Sequence, residues 1–326
     1  MRIAVLGAGA WGTALAISLA SQHRVRLWAR DDAHARNLAA SRDNARYLPG
    51  CRIPESVEIG ADWNLVASCE ALLCAVPMAG LRDVLARVDN SAASVPLVLA
   101  SKGLERGSAM LPHQVVRSVL PRRAVCVLSG PSFAHEVARG FPAAVVLASD
   151  DADLAGRLAR ELHSTRLRMY SNSDLTGVEV AGATKNVMAI AAGICDGLGL
   201  GLNARAAMVT RGLAEISRLG LKLGGRTETF MGLAGLGDLI LTCTGDLSRN
   251  RTVGLRLAGG ASLDVILAGL GHVAEGVVTA YEVARLAQGL GVDMPITRAV
   301  CAVLEGAIAP AEAVEILLER DPRAEF

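Results

Sequence analysis

The 326-residue chain is long enough for about two domains of ordinary size, and 52% hydrophobic with 20% charged residues excludes a disordered polypeptide. Lys plus Arg number 33 against 32 Asp plus Glu, for a formal charge of +1, and aromatic residues are few (3 Trp, 3 Tyr, 4 Phe). That balance offers neither the basic surplus nor the stacking platform of a nucleic-acid binder.

In chain order, Met1–Leu6 is a short apolar run rich in β-branched residues that ends at a glycine cluster, which predicts a buried strand meeting a turn. A leader peptide with cleavage after Ser18-Leu19-Ala20 is the competing reading of residues 1–20. Gly7, Gly9 and Gly12 interrupt that run, and a second strand-like segment, Val25–Ala29, follows at once. Residues 13–21 read as a helix. Further strands are expected at 71–76, 96–100, 124–128, 143–148 and 166–170, and helices at 79–88, 111–120 and 152–162. Such alternation predicts an α/β, Rossmann-type doubly wound parallel sheet with helices on both faces.

From about Thr176 the strand signal fades into Ala/Leu/Val/Gly-rich stretches with helical spacing, at 178–194, 205–219, 277–290, 297–305 and 311–319. Ser171-Asn172-Ser173-Asp174 supplies capping residue types ahead of them. We therefore expect a dinucleotide-binding domain over 1–175 and an all-α domain over 176–326. Lys185 divides the most apolar stretch, so no membrane span is expected. Seven cysteines without a Cys-x-x-Cys pair, and six dispersed histidines, point to reduced buried thiols in a cytoplasmic protein and to no metal.

Gly7-Ala8-Gly9-Ala10-Trp11-Gly12 fits Gly-x-Gly-x-x-Gly between a strand and a helix. The first glycine permits the tight turn, the second admits a pyrophosphate and the third lets helix and strand pack closely. The helix N-terminus then offers N–H groups to the phosphates. NADH or NADPH is the implied coenzyme. Arg30 ends the second strand, where a guanidinium pairs with the 2′-phosphate of NADP or stands solvated at a helix start. Asp31 and Asp32 offer carboxylates for a ribose, so use of both coenzymes is compatible with this stretch.

Lys102 and the Ser129-Gly130-Pro131-Ser132 segment follow strand ends, where α/β ligand crevices open; a surface lysine and a simple turn are the competing readings. Lys185 is the only charge between Glu179 and Asp196, and Asp238 is isolated among apolar neighbours with Thr242 at i+4. A lysine in such a helix either snorkels to solvent or is held at a site. Burying either charge alone costs several kcal/mol, so the two should pair or serve a site. Ser248-Arg249-Asn250-Arg251 reads as a polar loop ahead of a helix. Arg249, with capping-type side chains at that helix start, is either a phosphate receptor or a solvated base.

With these motifs in place, the chain resembles the bacterial NAD(P)-dependent glycerol-3-phosphate dehydrogenases over essentially its whole length. The likeness rests on GAGAWGTALA from Gly7, SKGLE from Ser101, SGPSFAHEVA from Ser129, GATKNVMAIAAGICDGLGLG from Gly182 and GLAGLGDLILTCTGDLSRNR from Gly232. It implies reversible reduction of dihydroxyacetone phosphate to sn-glycerol 3-phosphate, feeding phospholipid synthesis, in a protein expected to be a homodimer. By the family pattern Lys185 exchanges the proton at the substrate oxygen, with Asp238 beside it. Lys102, Gly130, Ser132, Asp238, Ser248, Arg249 and Asn250 would bind substrate. Ala10, Trp11, Arg30, Lys102, Ala134, Arg249, Val273 and Glu275 would contact the coenzyme. A ketopantoate-type or β-hydroxyacid reductase is the neighbouring alternative, since it would share the glycine turn and a central lysine. A non-catalytic dinucleotide sensor is the alternative from another class, and it has no need of an acid at position 185.

Overall fold

A computed structural model of the chain describes residues 1–88, 95–270 and 274–319. Two compact units are formed, one of Met1–Lys102 with Met110–Glu179, the other of Gly103–Ala109 with Val180–Phe326.

The first unit opens with β1 (Arg2–Leu6), α1 (Ala10–Leu19), β2 (Arg24–Trp28) and α2 (Asp32–Ser41). A two-stranded hairpin follows, β3 (Asp43–Asn44) and β4 (Leu48–Arg52), then β5 (Glu58–Gly60). Next come β6 (Ala71–Cys74), α3 (Met78–Leu85), β7 (Leu97–Leu99), α4 (Pro112–Val119) and β8 (Val125–Ser129). The short α5 (Ala134–Ala138), β9 (Ala143–Ala148), α6 (Ala152–Leu162) and β10 (Leu167–Asn172) complete it. The main sheet has eight strands in the order β10-β9-β8-β7-β6-β1-β2-β5. The continuous burial of β1 from Ile3 to Leu6, and of every residue in β6 and β7, is the mark of strands covered on both faces.

The expected parallel sheet needs one correction. β1, β2, β5, β6, β7 and β8 run parallel, but β9 pairs with β8 antiparallel and carries β10 with it. A parallel return requires a crossover that spans the strand. The five-residue α5 rises only about 7.5 Å, against roughly 17–20 Å for a strand of five or six residues, so the chain turns back instead. The hairpin and β5 were not anticipated either, because their sequences, such as Leu48-Pro49-Gly50-Cys51-Arg52, lack alternation.

Beyond Gly103–Ala109, a stretch of turns, the second unit is built of helices, with no strand among its described residues. It takes α7 (Leu175–Gly197) from Val180 onward, then α8 (Gly201–Lys222) and α9 (Thr227–Met231). A single π turn, Leu233–Gly237, leads into α10 (Asp238–Thr244), α11 (Arg249–Ala258) and α12 (Leu263–Leu270). The unit closes with α13 (Glu275–Gly289), α14 (Pro295–Leu304) and α15 (Pro310–Leu318). By length and composition α7 is apolar enough to cross a membrane, yet its most apolar stretch is entirely buried inside the protein, as a core helix.

Small residues set how closely α7 and α11 approach. A Cβ on Gly254 would lie 2.0 Å from the Ile190 carbonyl oxygen, and one on Gly193 would lie 2.0 Å from that of Arg251. One turn on, a Cβ on Gly197 would sit 2.6 Å from that of Ala258. Elsewhere the buried Glu215 of α8 accepts the N–H groups of Ile296 (2.6 Å) and Thr297 (3.2 Å), supplying partners to the otherwise orphaned start of α14.

Since the Gly254 contact is with backbone, no rotamer change relieves it. Gly254→Ala should cost about 1–3 kcal/mol or more, as overpacking does. Gly259→Ala, where the nearest atoms lie 3.5 and 3.7 Å away, should stay within about 0.5 kcal/mol. Urea unfolding followed by circular dichroism separates the two; equal stabilities would deny the close crossing.

Candidate active site

In the first unit the turn from β1 into α1 has the geometry its glycines imply. Gly7 has φ +106°, and a side chain there would crowd Val76 and the Ala75 carbonyl at about 3 Å. A Cβ on Gly12 would lie 1.9 Å from the Gly7 oxygen, so only glycine lets α1 start this close to the turn. Gly9 is the N-cap, in extended conformation, and has nothing within 4 Å of where its Cβ would be. No side chain caps α1 and no acidic residue lies in its first turn, which holds Ala10 and Trp11. A helix start that is open, uncapped and free of carboxylates fits a pyrophosphate.

Arg30 stands exposed just past β2, with no hydrogen bond or ion pair to the described residues. Its acidic neighbours are engaged: Asp31 accepts the His34 N–H at 2.6 Å as the N-cap of α2, and Asp32 pairs with Arg36 at 3.1 Å. Lys102 follows β7, and Ser132 donates to the Gly130 carbonyl (2.9 Å) just after β8. Gly130 has φ +133°, and its missing Cβ would meet Val145 at 3.0 Å. Ala134 opens α5, which packs on α1. Since β1, β2, β7 and β8 run parallel, all these positions lie at one edge of the sheet, beyond its carboxyl ends.

A second set of predicted residues meets in the helical unit. Lys185 on α7 is buried, and its Nζ donates to Asp238 Oδ1 at 2.5 Å and to Thr242 Oγ1 at 2.8 Å. The snorkelling reading therefore fails. Thr242 Oγ1 in turn donates to the Asp238 carbonyl (2.6 Å), so the i+4 spacing locks acid and hydroxyl together. Asp238 begins α10 directly after the π turn, in which the Gly237 N–H reaches back to the Gly232 carbonyl at 3.1 Å. A Cβ on Gly235 would lie 2.1 Å from the Phe230 oxygen, and the Phe230 ring seats where a Gly220 side chain would be, 2.0 Å away. Stacked small residues thus place the carboxylate. Adjacent Cys243 is buried, which pushes its thiol up to about 12; it is a packing group, not a nucleophile.

The Ser248–Arg251 segment, expected as a loop, is instead the cap and first turn of α11. Ser248 Oγ accepts the Arg251 N–H at 3.3 Å. Arg251 bonds Asp196 of α7 at 2.8 Å, and Asp196 also holds Arg205. Asn250 donates to Asn186 Oδ1 (3.0 Å) and accepts the Gly276 N–H (3.1 Å). Arg249 is exposed, with no ion pair or hydrogen bond to the described residues. Glu275 begins α13, and Val273 lies outside the described residues. No group of three or more metal-ligating side chains occurs among the described residues. The reading from sequence overlooked Asn186, although it is the next polar residue after Lys185 in the same apolar helix and carries the same signal.

Two family models match the chain: the NAD-dependent glycerol-3-phosphate dehydrogenase N-terminus over residues 2–155 and its C-terminus over residues 174–315. The chain belongs to the NAD-dependent glycerol-3-phosphate dehydrogenase family. It is 58% identical, over the whole of both chains, to the glycerol-3-phosphate dehydrogenase [NAD(P)+] of Dechloromonas aromatica, and equally to that of Thiobacillus denitrificans. The crystal structure of glycerol-3-phosphate dehydrogenase from Coxiella burnetii superposes with a TM-score of 0.93 at 43% identity, covering 98% of this chain and 99% of that one.

Removing one partner of a buried ion pair strands the other. Asp238→Ala should therefore destabilise the protein by about 3–5 kcal/mol, and the double variant Lys185→Met/Asp238→Leu should recover most of that loss. A double-mutant cycle in urea that gives additive effects would contradict the pairing.

Proposed function

We propose that the protein reduces dihydroxyacetone phosphate reversibly to sn-glycerol 3-phosphate with NADH or NADPH, in the cytoplasm, and supplies the backbone of glycerophospholipids. The observation that carries this reading is the buried Lys185 ammonium, held by a carboxylate and a hydroxyl in a chain that this family's models match over residues 2–155 and 174–315. Seven cysteines, all free thiols and six of them buried, support a reducing compartment.

When bound, the coenzyme supplies the hydride to the ketone carbon. The residues of the first unit would hold it: Gly7, Gly9, Ala10, Trp11 and Gly12 around the pyrophosphate, with Arg30, Lys102 and Ala134 nearby. In the second unit Arg249 and Glu275 would contact it, and so would Val273. Lys185 gives a proton to the ketone oxygen as negative charge develops there, and takes it back in the reverse direction. Asp238 stabilises the ammonium and, with Thr242, fixes the direction of its N–H bonds. Ser248 and Arg249, with Lys102, Gly130 and Ser132, would bind the rest of the substrate. Arg249 meets its phosphate with a guanidinium, so binding energy remote from the carbonyl holds the reacting carbon in place. Asn250, bonded to Asn186 and Gly276, would complete that grip. In this assignment residues 1–175 supply most of the coenzyme contacts, and residues 176–326 supply the acid at the ketone oxygen.

Mixed with dihydroxyacetone phosphate, the purified protein should consume reduced nicotinamide absorbance with either coenzyme, and unphosphorylated ketones should react far more slowly. Turnover of ketopantoate in place of the triose phosphate would overturn the assignment. Arg249→Ala should raise the KM for dihydroxyacetone phosphate by about 10–100-fold, the loss of one charge-assisted contact, and Arg30→Ala should weaken NADPH more than NADH. An unchanged KM would move the phosphate receptor elsewhere.

A further inference from the structure

Beneath the glycine turn sits a side chain that nothing above assigns. Asn44, at the end of β3, is fully buried, and its Nδ2 donates to the Ala8 carbonyl at 3.0 Å and to Thr13 Oγ1 at 2.7 Å. Ala8 lies between the first two glycines of the turn and Thr13 follows the third. The unanticipated hairpin thus delivers one amide to both ends of the motif. His34 Nε2 lies farther from the same Ala8 oxygen, at 3.4 Å. The carbonyl of Ala8 accepts only, which fixes which end of the Asn44 amide faces it. The other end, Oδ1, is buried with no hydrogen-bond partner among the described residues. An apolar residue would avoid that unmet acceptor, so what this position supplies is the donor.

The peptide between Ala8 and Gly9 is planar and trans, so holding its C=O inward turns the Gly9 N–H the opposite way. On Gly9 a Cβ would meet nothing within 4 Å. We propose that Asn44 is a positioning residue for coenzyme binding: its amide pins the Ala8 carbonyl and thereby presents the Gly9 N–H to the pyrophosphate. Thr13, buried in α1, accepts the second N–H, while the bond to Ala8 is the one that sets the peptide. This inference rests on the dinucleotide reading of the turn.

The test is the equilibrium dissociation constant of NADH and NADPH by fluorescence, for the full-length protein and its variants, with thermal melts as a folding check. Asn44→Ala should weaken both coenzymes by about tenfold or more, while kcat at saturating coenzyme and the KM for dihydroxyacetone phosphate stay within about twofold. Thr13→Val, which spares the Ala8 bond, should bind both coenzymes within about threefold of the parent. If Asn44→Ala does not fold, Asn44→Asp, of the same shape without the amide donor, is measured instead. Unaltered coenzyme affinity in a folded Asn44 variant overturns the proposal and leaves the dinucleotide reading intact. A Thr13→Val loss as large as that of Asn44→Ala also overturns it, by making the effect one of packing. Failure of the parent protein to bind either coenzyme removes the dinucleotide reading itself.

Discussion

The helical unit is organised around a charge that it must bury. Lys185 lies within a helix whose neighbouring residues are almost all apolar, and an ammonium without a partner there would cost several kcal/mol. Asp238 and Thr242 meet that requirement from a single turn of α10. Their short bonds fix the lysine nitrogen far more firmly than solvent could. In the proposed reaction, an ammonium held this way would lose little orientation when a substrate oxygen arrives, which is the electrostatic preorganisation that ketone reduction needs.

Placement of that carboxylate is a packing problem solved by glycine. The Phe230 ring fills the space over Gly220, Gly235 closes on the Phe230 backbone, and the π turn that results starts α10 at Asp238. Single π turns inside helices recur at functional positions because they shift a side chain out of ordinary helical register. The close crossing at Gly193 and Gly254 does the same for α11, bringing its first turn beside Asn186. Sequence, local geometry and chemistry are linked here through residues that have no side chain at all.

This division explains what could be read in advance. Long buried runs such as Ile3–Leu6, and isolated charges such as Lys185 and Asp238, announce themselves in composition alone, so the sheet, the helical half and the pairing were legible. The family resemblance implied a set of substrate positions, which single residues such as Arg249 could not do by themselves. The antiparallel turn at β9 was hidden because it depends on the length of α5 and not on the strand's own pattern. Asn44 and the hairpin were hidden because an asparagine in a stretch without alternation looks like any turn residue. Capping residue types were legible at Ser248, but the inclusion of Arg249–Arg251 in the helix was not, since serine, arginine and asparagine suit both a loop and a helix start.

The central claim is that the Lys185 ammonium delivers the proton. Single-turnover reduction of dihydroxyacetone phosphate by NADPH, compared between the parent protein and Lys185→Ala under matched coenzyme saturation, tests it most directly. The expected rate for the variant is lower by at least about 10²-fold, with the coenzyme dissociation constant unchanged. A rate close to that of the parent would contradict it.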